Sequence, residues 1–118
     1  MKINELIKAC EPFTMLDDRL LVHPLKLRTY ETTDTVLDEE ANKGKNPMVD
    51  ELQTMQKVVE INYKYQEAVV LNVSANIKDL AVGDTIIYKV SNLLEFDVVP
   101  EVSMLKRFEV VAKVSKNN

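Results

Sequence analysis

The chain has 118 residues and a formal net charge of −4, with 46% hydrophobic and 29% charged residues. This length suits one domain with a sizeable core, and the composition excludes an intrinsically disordered chain. Because the chain is acidic and its Lys and Arg residues are scattered, we expect no nucleic-acid binding, which depends on neutralising phosphates. The single cysteine, Cys10, cannot form an intramolecular disulfide. No apolar stretch approaches the roughly 18 residues of a membrane span, so we expect a soluble, intracellular protein.

The first residues predict a short amphipathic helix, because Ile3, Leu6, Ile7 and Cys10 fall at helical spacing and Pro12 follows them. We expect this helix to form an N-terminal extension over residues 1–14, followed by a single domain over residues 15–118. A helix of this length is marginal in water on its own. It therefore either packs against the domain or serves as a docking arm.

A first strand is predicted around Leu20-Leu21-Val22, which follows two acidic turn residues and ends near Pro24. Residues 26–46 are mostly polar and repeat at neither the strand period nor the helix period, so they predict a long polar loop. This loop belongs to a long inserted segment at about residues 28–57. It contains one apolar pair, Val36-Leu37, which is either an anchor that docks on a partner or a plug over the protein's own core.

The clearest periodicity lies between residues 59 and 73, where apolar side chains occupy the odd positions with the single exception of Glu67. Such alternation predicts a sheet with one buried face. Because most strands have five or six residues, we expect this one to bend or break near Gln66-Glu67-Ala68. The apolar odd positions are Val59, Ile61, Tyr63, Tyr65, Val69, Leu71 and Val73.

Gly83 and Asp84 predict a tight turn, and the β-branched and aromatic run that follows, residues 85–88, predicts a strand. Gly83 is one of only two glycines, which favours a position with positive φ. We further predict a strand at residues 93–99, one helical turn at residues 101–106 and a last strand at residues 107–114. Several short strands without a strong internal helix predict an all-β fold, a small closed or partly open β-barrel.

Two of these segments resemble the GroES-type co-chaperonins. The stretch Leu16-Asp17-Asp18-Arg19-Leu20-Leu21-Val22-His23-Pro24 is similar to the opening strand of that family. The stretch Leu80-Ala81-Val82-Gly83-Asp84-Thr85-Ile86-Ile87-Tyr88-Lys89 is similar to its Val-Gly-Asp signature. The two motifs occur in the family's order, and the resemblance covers about residues 16–114.

The resemblance implies a GroES-like β-barrel subunit without enzymatic activity that forms a seven-membered ring and closes a chaperonin chamber. The family binds its chaperonin through a loop with a Gly-Ile-Val-Leu sequence, which Thr35, Val36 and Leu37 match in part. The two glycines that the family places before the aliphatic residues are replaced by Thr33 and Asp34. The family's roof hairpin is missing, and these departures resemble phage-encoded relatives that serve capsid-protein folding.

The sequence shows no convincing catalytic, cofactor or metal site. His23 is the only histidine, and we expect it to be a strand residue rather than a general base or a metal ligand. One histidine and one cysteine do not make a zinc site, and the two isolated glycines do not make a phosphate-binding loop. The tyrosines at 63, 65 and 88 fit a core or a subunit contact better than base stacking, because the chain is acidic.

Two functions remain open at this point. The first is a co-chaperonin-like homo-oligomer, phage-encoded and active in the host cytoplasm, that binds a chaperonin through Thr35, Val36 and Leu37. The second is an auxiliary or decoration protein of a phage capsid, with the major capsid protein as its partner and the virion as its location. The lost loop glycines and the added N-terminal helix favour the second.

Overall fold

The computed structural model describes residues 2–48 and 50–115. Residue 1 of the predicted N-terminal extension and residues 49 and 116–118 of the predicted domain lie outside the described residues. The structure confirms the prediction of an all-β fold with a short N-terminal helix. The elements in chain order are α1 (Ile3–Cys10), β1 (Arg19–Pro24), β2 (Thr29–Leu37), β3 (Thr54–Asn62), β4 (Tyr65–Val73), β5 (Thr85–Lys89), a 3₁₀ turn (Val90–Asn92), β6 (Leu94–Glu95), β7 (Ser103–Lys106), a second 3₁₀ turn (Arg107–Glu109) and β8 (Val110–Lys113).

The chain divides into two compact units. One is the hairpin, Thr29–Asn62, in which β2 and β3 pair with each other. The other, the sheet unit, consists of the chain before Thr29 and after Asn62 and contains α1 and the remaining six strands. The sequence places the inserted segment at about residues 28–57, and the compact hairpin extends five residues beyond that range.

The six strands of the sheet unit form one sheet in the order β6-β7-β1-β4-β5-β8. In the described residues β6 and β8 are its edges, and the strand order does not close into a barrel. The sheet nevertheless curves strongly, because only Arg107–Glu109 connect β7 to β8 although three strands lie between them. Four strand spacings in a flat sheet would span about 19 Å, whereas the connection reaches about 14 Å at most.

One face of this curved sheet encloses the main core. Tyr88, Ile86, Leu20 and Val22 are fully buried in it. Leu105 from β7 and Val110 from β8 belong to the same cluster, as expected for a sheet whose two ends bend toward each other. Ile77 and Leu80, from the connection between β4 and β5, complete the cluster.

Helix α1 packs on the opposite face of the sheet, as the first of its two alternatives predicts. Leu6 and Cys10 of the helix are buried against Leu21 of β1 and Leu71 of β4. Leu71 has no partner residue in β1, because the β1–β4 register shifts by one residue at this point. Such a β-bulge re-aims side chains, so that Asn72 can join Leu71 on the helix side. The Asn72 side-chain nitrogen donates hydrogen bonds to the carbonyl oxygens of Cys10 (2.9 Å) and Phe13 (2.6 Å).

The predicted turn at Gly83 and Asp84 is confirmed. Gly83 has a φ of +96°, and its backbone nitrogen donates to the Val70 carbonyl oxygen at 2.8 Å. The Asp84 carboxylate accepts a hydrogen bond from the Ala81 nitrogen at 2.8 Å, which closes the turn. Strand β5 follows directly, as the β-branched run predicts.

The predicted buried face between residues 59 and 73 is wrong in both halves. In the first half Val59 is only partly buried, and Ile61, Tyr63 and Tyr65 are exposed. The predicted break does occur, but it lies at Tyr63 and Lys64 rather than near residues 66–68, so β3 and β4 are separate strands. In β4 the even positions Gln66, Ala68 and Val70 are fully buried, and so is Leu71 on the other face. Because β4 lies between β1 and β5 and is covered on both faces, one-sided alternation does not describe it.

Three further predictions differ from the structure in the last third of the chain. Ser103–Lys106, predicted as part of a helical turn, forms strand β7, which pairs with β1. The strand predicted at residues 93–99 is reduced to the two residues of β6. The predicted last strand begins as a 3₁₀ turn, and only its second half, β8, is extended. Among the described residues no helix is long and apolar enough to cross a membrane.

Candidate protein-binding hairpin

The hairpin has no core of its own. None of its described residues is buried, although it carries several large apolar side chains. Leu37 is 55% exposed and Met48 is 89% exposed. An isolated two-stranded hairpin is marginally stable in water, so a surface of this kind marks a candidate site for binding another protein.

The predicted long polar loop at residues 26–46 is wrong in part, because nine of its residues, Thr29–Leu37, form strand β2. Thr29, Thr32, Thr33, Thr35 and Val36 are β-branched, and such residues favour extended backbone. Strand β2 pairs along its whole length with β3, from Thr29 opposite Asn62 to Leu37 opposite Thr54. The signal that identifies β2 in the sequence is therefore its β-branched content, not a period of two in hydrophobicity.

The structure places the three predicted partner-binding residues at the end of β2. Because successive side chains in a strand point to opposite faces, Thr35 and Leu37 lie on one face of the hairpin and Val36 lies on the other. Val36 and Leu37 are therefore not a single apolar anchor. The Thr35 hydroxyl accepts a hydrogen bond from the Gln56 side chain at 2.9 Å, which holds the strand end in register.

Side-chain hydrogen bonds organise the tip of the hairpin, between β2 and β3. The Asn42 side chain donates to the Gln53 carbonyl oxygen at 2.8 Å and accepts from the Gln53 nitrogen at 2.6 Å. The Asp38 carboxylate accepts from the Ala41 nitrogen at 3.1 Å, and Gly44 takes a positive φ of +81°. The tip is therefore a folded connection that presents Met48 to solvent.

The two faces of the hairpin differ in composition. The face that we call the apolar face carries Tyr30, Thr32, Asp34 and Val36 from β2 opposite Ile61, Val59, Lys57 and Met55 from β3. The other, the polar face, carries Thr29, Glu31, Thr33, Thr35 and Leu37 opposite Asn62, Glu60, Val58, Gln56 and Thr54. Sequence reasoning missed the apolar face, since it becomes visible only when the register of the two strands is known.

The remaining predicted residues lie in the sheet unit, where the structure gives them structural contacts. Gly83 and Asp84 form the turn before β5, and Tyr88 is buried in the main core. His23 lies in β1, and its Nδ1 donates a hydrogen bond to the Glu101 carbonyl oxygen at 2.8 Å. In the part of the chain that the structure describes, no group of three His, Cys, Asp or Glu side chains could hold a metal ion.

Comparisons with protein-family models, with curated proteins and with solved structures found no match to this chain.

Proposed function

We propose that this chain is the subunit of a phage-encoded, co-chaperonin-like homo-oligomer that acts in the host cytoplasm without enzymatic activity and binds a chaperonin through the hairpin. The observation that carries the proposal is the hairpin itself, which exposes large apolar side chains and buries none of its described residues. A protein partner would cover this surface. Thr35, Val36 and Leu37 are the residues that we assign to chaperonin binding.

A GroES-like barrel as the scaffold is part of the proposal. The two motifs that resemble the family lie on either side of β4 in the sheet unit, because β1 and β5 both pair with that strand. The sheet curves around one core that includes residues from β7 and β8, near its two ends. An open but strongly curved sheet of this kind is compatible with a partly open barrel.

Binding through a preformed strand differs from binding through a flexible loop. The register of β2 and β3 already orders Thr35 and Leu37, so less conformational entropy would be lost when a partner binds. Each arm would still be weak, because only a few apolar side chains are available at the strand end. Several copies in a ring would raise the overall affinity through their high effective concentration.

The proposal is tested by mixing the purified protein with a bacterial chaperonin and ATP and measuring complex formation by sedimentation. We expect a complex that Leu37→Asp abolishes. The matched control is Val98→Asp, which places the same charge at a similarly exposed apolar position of the sheet unit (63% against 55%) and should leave binding intact. Absence of a complex with the unmodified protein, or equal loss in both variants, would overturn the proposal.

A second function is favoured by the regular strand structure of the predicted binding residues in β2. Thr35, Val36 and Leu37 belong to a regular strand and no glycine precedes them, whereas the chaperonin-binding loop implied by the resemblance is glycine-containing. This arrangement suits an auxiliary protein of a phage capsid, whose hairpin would bind the major capsid protein in the virion. Mass spectrometry of purified virions would detect such a protein at capsid-like copy number, whereas a cytoplasmic co-chaperonin would be absent.

A further inference from the structure

The apolar face of the hairpin carries one pair of opposite charges among its apolar side chains. Of the four residue pairs across β2 and β3 on this face, the third is Asp34 opposite Lys57. The pairs on either side of it are Thr32 opposite Val59 and Val36 opposite Met55. A partner that covers the face removes both charges from water, and this cost is best offset when the partner places an opposite charge against each of them.

A second copy of the same face meets this requirement. When two hairpins pack face to face around a two-fold axis parallel to the strands, β2 of one copy lies over β3 of the other. Asp34 of each copy then faces Lys57 of the other copy, and Val36 faces Met55. Because a two-fold interface is self-complementary, both charge pairs form at once.

The alternative face-to-face arrangement, with the two-fold axis across the strands, lacks this match. It places β2 over β2 in the reverse direction, so Asp34 meets another Asp34 or an uncharged side chain. Lys57 meets another Lys57 or an apolar residue in the same way. The charges on the apolar face therefore select one orientation, in which the tips of the two hairpins point in the same direction.

We propose that the apolar face is a homotypic interface, through which the hairpins of two copies of this chain pack face to face with both tips pointing the same way. The proposal does not rest on the chaperonin or capsid function, because Thr35 and Leu37 lie on the polar face and stay accessible. Self-association then uses the apolar face, and partner binding uses Thr35 and Leu37 on the polar face. Val36, the third residue assigned to chaperonin binding, lies on the apolar face and would be covered in the dimer.

The expected contact is small. A strand of nine residues is about 30 Å long, so two paired strands offer a face of roughly 300 Å², below the approximately 800 Å² per partner of a standard interface. We therefore expect a weak dimer that forms at high protein concentration and is strengthened when other contacts hold several copies together.

Two neighbouring valines provide a matched test in the full chain. Val59 lies on the apolar face and Val58 lies on the polar face, so Val59→Asp and Val58→Asp add the same charge to opposite sides of one strand. Sedimentation equilibrium over a wide concentration range should show that Val59→Asp raises the dimer dissociation constant at least about tenfold while Val58→Asp leaves it nearly unchanged. Equal effects of the two variants would contradict the proposal.

Charge exchange tests whether Asp34 and Lys57 meet across the interface. The comparison of each variant alone with the wild-type protein tests the orientation, because the reversed arrangement would already oppose like charges in the wild type and the variants would associate no more weakly. In Asp34→Lys both positions of the charge pair are positive, and in Lys57→Asp both are negative, so each variant alone should remain a monomer because like charges oppose each other across the interface. A mixture of the two variants should form a heterodimer, since the two positive side chains of one copy then face the two negative side chains of the other. The like charges within each hairpin are the same alone and mixed, so recovery on mixing reports the interface itself.

Three outcomes would overturn the proposal. They are a wild-type protein that forms no dimer at high concentration, a charge variant that dimerises alone, and a mixture of the two charge variants that forms no heterodimer. Assembly through another surface would raise the mass of every variant equally and would leave the differences between them unchanged. Loss of chaperonin binding in Leu37→Asp, with self-association intact, would separate this proposal from the proposed function.

Discussion

The side chain of Gln66 forms a reciprocal pair of hydrogen bonds with the backbone of Arg28, 38 residues earlier in the chain. Its oxygen accepts from the Arg28 nitrogen at 2.8 Å, and its nitrogen donates to the Arg28 oxygen at 2.8 Å. The same nitrogen also donates to the Tyr63 oxygen at 2.9 Å. Gln66 is fully buried. Its hydrogen bonds link Arg28, where the chain leaves the sheet unit, to Tyr63, where the chain returns to it.

Replacing Gln66 by Met should lower the free energy of unfolding by about 2–3 kcal/mol, because the Arg28 nitrogen and oxygen lose their buried partner. Gln66→Glu keeps the shape but removes both side-chain donors and directs a carboxylate toward two carbonyl oxygens, so we expect at least as large a loss. Urea unfolding measures both effects. A Gln66→Glu variant as stable as the wild-type protein would show that the donors contribute nothing.

Asn72 should control the opening of helix α1. Asn72→Ala removes the hydrogen bonds to the Cys10 and Phe13 carbonyl oxygens, which should destabilise the docked helix by about 1–2 kcal/mol. Cys10 is the only cysteine and is fully buried, and burial raises the pKa of its thiol, so its reaction with a thiol reagent reports this opening. We expect labelling to be roughly tenfold faster in Asn72→Ala.

The control for the helix experiment is Asn76→Ala. Asn76 also donates to a backbone oxygen, that of Asp17 at 3.0 Å, but it makes this bond away from the helix. Its replacement should leave the labelling rate of Cys10 unchanged. Equal acceleration in both variants would indicate a global loss of stability rather than release of α1.

The ion pair between Asp79 and Arg107 makes stability depend on acidic pH. Arg107 Nε donates to both Asp79 carboxylate oxygens, at 3.0 and 3.1 Å, and these hydrogen bonds hold the pKa of Asp79 below its ordinary value of 3.8. A carboxyl with a lowered pKa in the folded state stabilises the protein above its unfolded-state pKa, and this contribution disappears as pH falls through the folded value.

We therefore expect the wild-type protein to lose stability below about pH 4 more steeply than Asp79→Asn, which has no carboxyl at this position. The measurement is urea unfolding at neutral pH and at several pH values between about 4 and 2. Because both side chains are substantially exposed, the difference should shrink at high salt. Parallel pH profiles of the two proteins would rule out this contribution.

Tyr88 is buried in the main core, and its hydroxyl has no hydrogen-bond partner among the described residues. Tyr88→Phe removes this unsatisfied group without changing the ring, so it should leave stability unchanged or raise it by about 1 kcal/mol. Burial also raises the pKa of Tyr88 above its ordinary value of 10.0, so alkaline pH favours the unfolded state, in which the hydroxyl ionises more easily. The stability of Tyr88→Phe should therefore fall less above about pH 10, and Tyr65→Phe, at an exposed position, is the control.

Gly83 is required for its backbone conformation rather than for space. A Cβ atom there would meet nothing within 4 Å, but φ is +96°, where residues with a side chain are strained. Gly83→Ala should therefore cost about 1–2 kcal/mol in urea unfolding. Gly83→Asn should cost less, because asparagine tolerates positive φ better than alanine does. Equal losses in the two variants would contradict this explanation.

The sequence by itself determined the elements whose signals are local. Helix α1 follows from apolar spacing, β1 and β5 from aliphatic runs beside turn residues, and the Gly83-Asp84 turn from the chemistry of those two residues. It could also have shown β2 through its β-branched residues, but the polar composition of residues 26–46 concealed the strand. Local propensity and periodicity suffice for such elements, since their causes lie within a few neighbouring residues.

Only the tertiary structure decided which direction the side chains of these elements take and which residues they contact. The β-bulge at Leu71 directs Asn72 to the helix, and the curvature of the sheet brings Leu105 and Val110 into one core. The register of β2 and β3 separates Val36 from Thr35 and Leu37 and sets Asp34 beside Lys57. Each of these relations joins residues that are distant in the chain, and a shift of one residue in register would reverse the faces of a strand, which local sequence signals do not specify.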